Sequence, residues 1–201
     1  MMPFSGVLAS RFGCRVVYSI ATLVILLGFL CFVAYIMEGS MLDWSGILLT
    51  SHSMISSNQA GLGYTVFAVA MTTGRLLGDR IISAFGRSRV FSFSALIASF
   101  GFTVVVLGAN LTSMMCGFFL IGAGLSNIVP ILFTASGQQT VMPSALAVAS
   151  VSTIGYSGIL LGPALIGLLA QVTTLSFAFG IVTILSFSLP LCVRFISFSN
   201  K

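Results

Sequence analysis

Residues 16–37 read VVYSIATLVILLGFLCFVAYIM, an apolar run of 22 residues without a charge. About 20 such residues suffice for a helix to cross the ~30 Å hydrocarbon core of a bilayer. The run is longer than the apolar region of a secretory signal, and no A-x-A-like cleavage site follows it. Arg11 and Arg15 precede it. The stretch therefore predicts a first membrane span rather than a removable leader.

The rest of the chain has the same character. Of 201 residues, 58% are apolar and 5% are charged. Soluble domains carry roughly 25% charged residues, so the few charges here cannot coat a soluble monomer. Disorder needs low hydrophobicity, and collagen needs periodic glycine; both are excluded. Eight basic residues stand against Glu38, Asp43 and Asp79, yet no basic stripe lies on a polar face, so nucleic acid is not an expected partner. Cys14, Cys31, Cys116 and Cys192 are scattered without a C-x-x-C pair. They predict neither a metal site nor a disulfide framework, and no cofactor is expected.

Apolar periodicity and loop chemistry divide the chain into six spans. The first runs from about Val16 and continues past Glu38 towards Leu49. The others cover about Ala60–Gly78, Val90–Gly108, Ser113–Ser136, Pro143–Gln171 and Leu175–Val193. Polar, turn-forming stretches separate them, among them 56–58, 86–89, 110–112 and 138–140. Pro143 suits a first helical turn, where its missing N–H costs nothing. With the first span running outward, Arg11, Arg15, Arg80, Arg87, Arg89, Arg194 and Lys201 all fall on one side. Basic loops stay cytoplasmic, so both termini are expected there. The fold class read from these patterns is all-α: a polytopic membrane protein with six transmembrane helices. The chain is one domain over 1–201, with a cytoplasmic loop at 1–15, six spans over 16–193 and a cytoplasmic tail at 194–201. The lipid bilayer is its first partner.

Between the second and third spans stand Gly74-Arg75-Leu76-Leu77-Gly78-Asp79-Arg80 and Phe85-Gly86-Arg87-Ser88-Arg89. Glycines let helices approach closely. Arg75 and Asp79, four residues apart, share a helix face and can pair. The segment resembles the signature loop of the major facilitator superfamily, with a longer spacing between Arg80 and Gly86 than its commonest form. Residues 38–45 (EGSMLDWS) resemble the seventh helix of a bacterial inner-membrane branch that includes rhizopine-associated carriers. Gly122–Asn127 with Pro130 resembles its tenth helix. Gly155-Tyr156-Ser157-Gly158 with Gly162-Pro163 and Gly167 resembles its eleventh. The resemblance covers about residue 30 to the end and implies half of a twelve-helix transporter. It further implies transport of a small solute by alternating access, with a second six-helix half or a homodimer enclosing the path. The competing expectation is a truncated remnant or assembly partner that does not transport.

The first thirty residues depart from that pattern. Ser5–Val16 resembles a second signature loop without its Asp, and echoes residues 85–90 as internal repeats do. This implies a first helix that begins as the family's third and finishes as its seventh, as an internal deletion would leave it.

Three groups of residues are candidates for function. An acid within a span is costly and marks a functional site. Glu38 faces a cavity near the midplane if the helix begins near Leu23, or is solvated at the outer interface if it begins at Val16. Asn127 and Tyr156, with Ser126 and Thr153, can bind a polar solute or tie helices together. Gly74, Arg75, Gly78, Asp79, Arg80, Gly86, Arg87 and Arg89 form the gating motif. The resemblance implies that Asp79 latches onto the N-terminal end of the fifth span, near Pro143 and Ser144. Gly158, Gly162 and Pro163 are expected to pack closely and to let the helix bend. Gly155-Tyr156-Ser157-Gly158 also matches a membrane-protease nucleophile pattern, but that chemistry needs a His on a later helix. The single histidine, His52, lies far earlier, and no enzyme is expected.

Overall fold

The computed structural model describes residues 14–52, 55–139 and 142–193. Among these residues every regular element is a helix. α1 runs over Cys14–Ser51. A single 3-10 turn at Ser57–Gln59 leads into α2, Leu62–Phe85, and α3 is Arg87–Leu107. α4 (Leu111–Leu125) and α5 (Ile128–Gln138) together cover the fourth expected span. α6 is Ser144–Val172, and α7 (Leu175–Ser186) with α8 (Ser188–Cys192) forms the last. The signature-like segment 5–16 lies almost wholly outside the described residues, as does the 194–201 tail.

Five stretches among the described residues are long and apolar enough to cross a membrane: Thr22–Ser51, Arg87–Leu107, Leu111–Gln138, Ser144–Val172 and Leu175–Cys192. α2 is long enough but less apolar, since Thr72, Thr73, Arg75, Asp79 and Arg80 fall within it. The second span was expected to end near Gly78. It continues to Phe85, because no residue after Gly78 opposes helix until Gly86. Gly86 adopts φ 82° and at once ends α2 and precedes α3; only glycine takes that conformation without strain. The signature residues 74–80 are thus helical, and the loop reduces to a single glycine.

The fourth span is broken at Ser126 and Asn127, which lie in a turn between α4 and α5. Elsewhere the helix starts are set locally. The Asn110 side chain accepts from the Ser113 N–H at 2.8 Å to open α4. Thr174 Oγ1 accepts from the Phe177 N–H at 3.2 Å to open α7. Pro143 precedes the first helical residue of α6, and its carbonyl accepts from Ala147 N–H at 3.1 Å.

α1 lies at the centre, packed along α6 and touching α2, α5 and α7; α3 and α4 form a second close pair, and α2 packs on α4. Leu30, Val33, Met37 and Met41 of α1 are fully buried, as are Phe91 and Phe102 of α3 and Phe118 and Ile121 of α4. Small residues set the close seams. A methyl group at Gly158 would meet the Phe32 carbonyl of α1, and one at Gly122 would meet the Phe67 carbonyl of α2.

Candidate functional site

Glu38 lies well inside α1, thirteen residues before Ser51, and Arg75 lies thirteen residues after the start of α2 at Leu62. At 1.5 Å per residue, each sits about 20 Å from the helix ends joined by the 52–61 connection. The two charges therefore share one depth, and Arg75 donates from its guanidinium to Glu38 Oε1 at 3.5 Å. α1 starts at Cys14 and reaches Ser51, and within its apolar stretch Thr22–Ser51 Glu38 lies near the middle. Arg75 keeps 46% of its side chain exposed and Glu38 22%. The pair faces an open side of the bundle rather than its core.

Arg75 does not pair with Asp79, as the four-residue spacing allowed. Its guanidinium is turned across to α1, where Glu38 supplies the charge at matching depth. Asp79 makes no ion pair or hydrogen bond with a described residue. Asp79 thus makes no hydrogen bond to the start of the fifth expected span in this structure. α2 packs on α4 and α1, whereas α6 packs on α1, α5 and α7; α2 and α6 do not run along each other.

Tyr35 stands one turn before Glu38 on α1. Its ring stacks on Tyr156 of α6, with centroids 5.0 Å apart and planes at 26°. Tyr35 is buried, while Tyr156 is 51% exposed. Tyr35 was missed by the sequence reading, although its one-turn spacing from Glu38 was a usable signal. An acid, a guanidinium and two phenols thus gather where α1, α2 and α6 present their middle sections. Such a set can exchange hydrogen bonds with a polar solute and can release or hold a proton at the carboxylate.

Several of the other candidates pack or hydrogen-bond within the bundle. Asn127 is buried, and its amide donates to Ser126 Oγ at 3.0 Å and to the Gly74 carbonyl at 3.4 Å. Gly74 and Gly78 lie against this break: a methyl group on either would collide with Ser126 or Asn127. A cavity of about 400 Å³ beside it is lined mainly by apolar groups such as Ile81, Phe93 and Ile97. Ser126 and Thr153 hydroxyls donate to carbonyls of their own helices, at Ala123 and Ala149. Arg87 donates to Gln138 Oε1 at 2.7 Å, tying the Gly86 turn to the end of α5. Arg80 and Arg89 are exposed near that turn. Gly158 and Gly162 face Phe32 and Ile36 of α1, and Pro163 sits within the unbroken α6. Ser157 donates to the Ile154 carbonyl at 2.6 Å, while His52 lies at the end of α1 beside Ser176. The two are not partners.

Comparison with known proteins agrees with this architecture. The family model described as Major Facilitator Superfamily matches residues 39–200. An uncharacterized MFS-type transporter of Yersinia pestis is 52% identical over 171 residues, covering 85% of this chain and 44% of the relative. An uncharacterized transporter of Sinorhizobium fredii is 35% identical, covering 78% of this chain and 42% of its own length. The membrane protein MosC of Rhizobium meliloti is 31% identical, covering 73% and 36% respectively. This chain therefore spans less than half the length of the curated relatives it matches. Among solved structures, a mutant of the peptide transporter POT in complex with alafosfalin superposes with a TM-score of 0.72. It is 14% identical, with 88% of this chain and 37% of that one covered; that likeness concerns the fold.

Proposed function

From the premise that this chain belongs to the major facilitator superfamily, we propose that it forms one six-helix half of a solute transporter working by alternating access. α2 is then the sixth crossing, with its charges turned towards the translocation path rather than to lipid. Six further helices enclose the path, supplied by a second copy, a separate chain or a longer polypeptide. Transporters of this build rock two halves about a site near the midplane. The observation that carries the reading is the Glu38–Arg75 pair, joined across α1 and α2 at one depth and open on one side. Ionisable groups placed within spans serve solute or proton pathways far more often than packing. Tyr156, stacked on Tyr35, extends the same face.

The membrane is the bacterial inner membrane, with the Gly86 turn cytoplasmic because Arg80, Arg87 and Arg89 gather there. A cysteine placed at Ser88 resists a membrane-impermeant thiol reagent added to intact cells; labelling there reverses the orientation. The transport reading is tested by uptake into proteoliposomes, with and without a complementing half, against a panel of polar solutes. Glu38→Gln lowers uptake at least tenfold while insertion is unchanged. Uptake equal to the parent's removes Glu38 from the path. A second reading is favoured by the partial coverage of the relatives: an assembly partner or truncated remnant without transport of its own. Absence of uptake in every combination, from a folded and inserted chain, selects it.

A further inference from the structure

α2 and α3 are joined by the single residue Gly86, yet each packs far more on α4 than on the other. The gap left between them is the cavity of about 400 Å³ beside the α4–α5 break. Ile81 and Phe85 of α2 face Phe93 and Ile97 of α3 across it. Phe85 and Phe93 are exposed, so the gap opens outward. On its floor, Ser126 and Asn127 already hydrogen-bond to each other and to backbone carbonyls. The deep ends of the gap are Gly74 and Ile97, each eleven residues from Phe85 or Gly86 at the turn. At 1.5 Å per residue that depth is about 16 Å, close to one leaflet's share of the ~30 Å hydrocarbon core. Arg89 stands one turn before Phe93 on the same face of α3. It is exposed and makes no hydrogen bond or ion pair with a described residue. Asp79 is the single acid on α2 and α3, and it lies about 200° around α2 from Ile81, away from the gap.

We propose that this groove holds one acyl chain of an anionic phospholipid, with the lipid phosphate at Arg89. Three features choose the occupant. The walls are apolar and the polar groups of the floor are satisfied, so the groove suits a hydrocarbon chain rather than a polar solute. Its depth matches a chain that enters at the turn and ends near the midplane. The unpaired guanidinium at its mouth selects a headgroup with net negative charge over a zwitterionic one, and the positive end of the α3 dipole adds to that attraction. Basic pockets between spanning helices take anionic headgroups by the same electrostatics. The inference takes α2 as a spanning helix beside α3. The groove stands apart from Glu38 and Arg75, and its occupancy does not depend on transport.

Trp44 is the single tryptophan, so Trp44→Phe clears the background for a reporter placed in the groove by Phe93→Trp. The full chain carrying both changes is reconstituted in mixed vesicles of phosphatidylglycerol and phosphatidylcholine, one of them with dibrominated acyl chains that quench tryptophan on contact. Quenching at Phe93→Trp gives a relative binding constant at least threefold (as order of magnitude, about 0.6 kcal/mol at 1.4 kcal/mol per tenfold) in favour of phosphatidylglycerol. Ile184→Trp, exposed on α7 away from the groove, shows no such preference. Arg89→Gln brings the ratio at Phe93→Trp to about one, and Ala123→Leu does the same by filling the floor of the groove. The proposal is overturned if Phe93→Trp shows no preference, if Ile184→Trp shows an equal one, or if the preference survives Arg89→Gln or a folded Ala123→Leu. Circular dichroism checks the fold of each variant. Should Ala123→Leu not fold, Arg89→Gln decides alone, since an exposed and unpaired side chain is replaced there. The readout is lipid contact alone, so a chain that does not transport keeps this site and loses only the transport reading.

Discussion

α1 meets α6 and α2 in two different ways. Against α6 it is held by close backbone approach, with Gly155, Gly158 and Gly162 set against Cys31, Phe32 and Ile36. Against α2 it is joined at mid-depth by a single charged contact of 3.5 Å, half open to its surroundings. The first seam gains from many small dispersion contacts between surfaces with no polar group to satisfy. The second holds two charges that packing alone would not select. A pair with this much exposure contributes under about 1 kcal/mol. The contrast separates a seam that holds the fold from one that adds little to its stability.

The sharpest way to break that contrast is Gly158→Val. Its branched side chain would drive into the Phe32 carbonyl, where backbone cannot yield. Overpacking of this kind costs about 1–3 kcal/mol or more, which lowers the melting temperature by roughly 2–12 °C for a chain of this size. Thermal unfolding in detergent reads the shift; a melting temperature equal to the parent's would show the α1–α6 seam to be loose.

Next in size is Gly78→Ala, on the seam between α2 and the α4–α5 break. The added methyl meets Asn127 Oδ1, the end of a side chain rather than backbone, so a cost of about 1–2 kcal/mol is expected. The double variant with Asn127→Ala loses at least 0.5 kcal/mol less than the two single effects added, roughly the lower bound for contacting residues. Strict additivity would mean that the two residues do not touch.

Arg87→Ala removes the 2.7 Å hydrogen bond to Gln138 and costs about 1 kcal/mol. Gln138→Ala removes the same bond, and the double variant costs less than the two single effects added; strict additivity would mean that the bond does not form. The smallest effect on stability belongs to Glu38→Gln, under about 1 kcal/mol, beside its large effect on uptake. A destabilisation as great as that of Gly158→Val would put Glu38 among the packing residues and collapse the distinction between the seams.

Much of the helix layout was legible because hydropathy, loop residues and caps act along the chain. Asn110 opens α4 and Gly86 separates α2 from α3, where the sequence placed turns. The end of α2 was misplaced because charged residues depress hydropathy without opposing helix. The break at Ser126–Asn127 was hidden for the opposite reason: the residues around it are apolar enough to read as one continuous span.

The sequence by itself determined that this is an all-helical membrane chain, with its family written in the 74–89 motif. Composition and periodicity suffice for that, since water and lipid sort residues one helix at a time. Only the tertiary structure decided which partners the candidate side chains take. Arg75 turns to Glu38 rather than to Asp79, Tyr35 stacks on Tyr156, and Asn127 is consumed between two helices. Those choices depend on the depth and rotation of one helix against another. The close approach of small residues on facing helices fixes both, and local spacing along a single chain does not encode them.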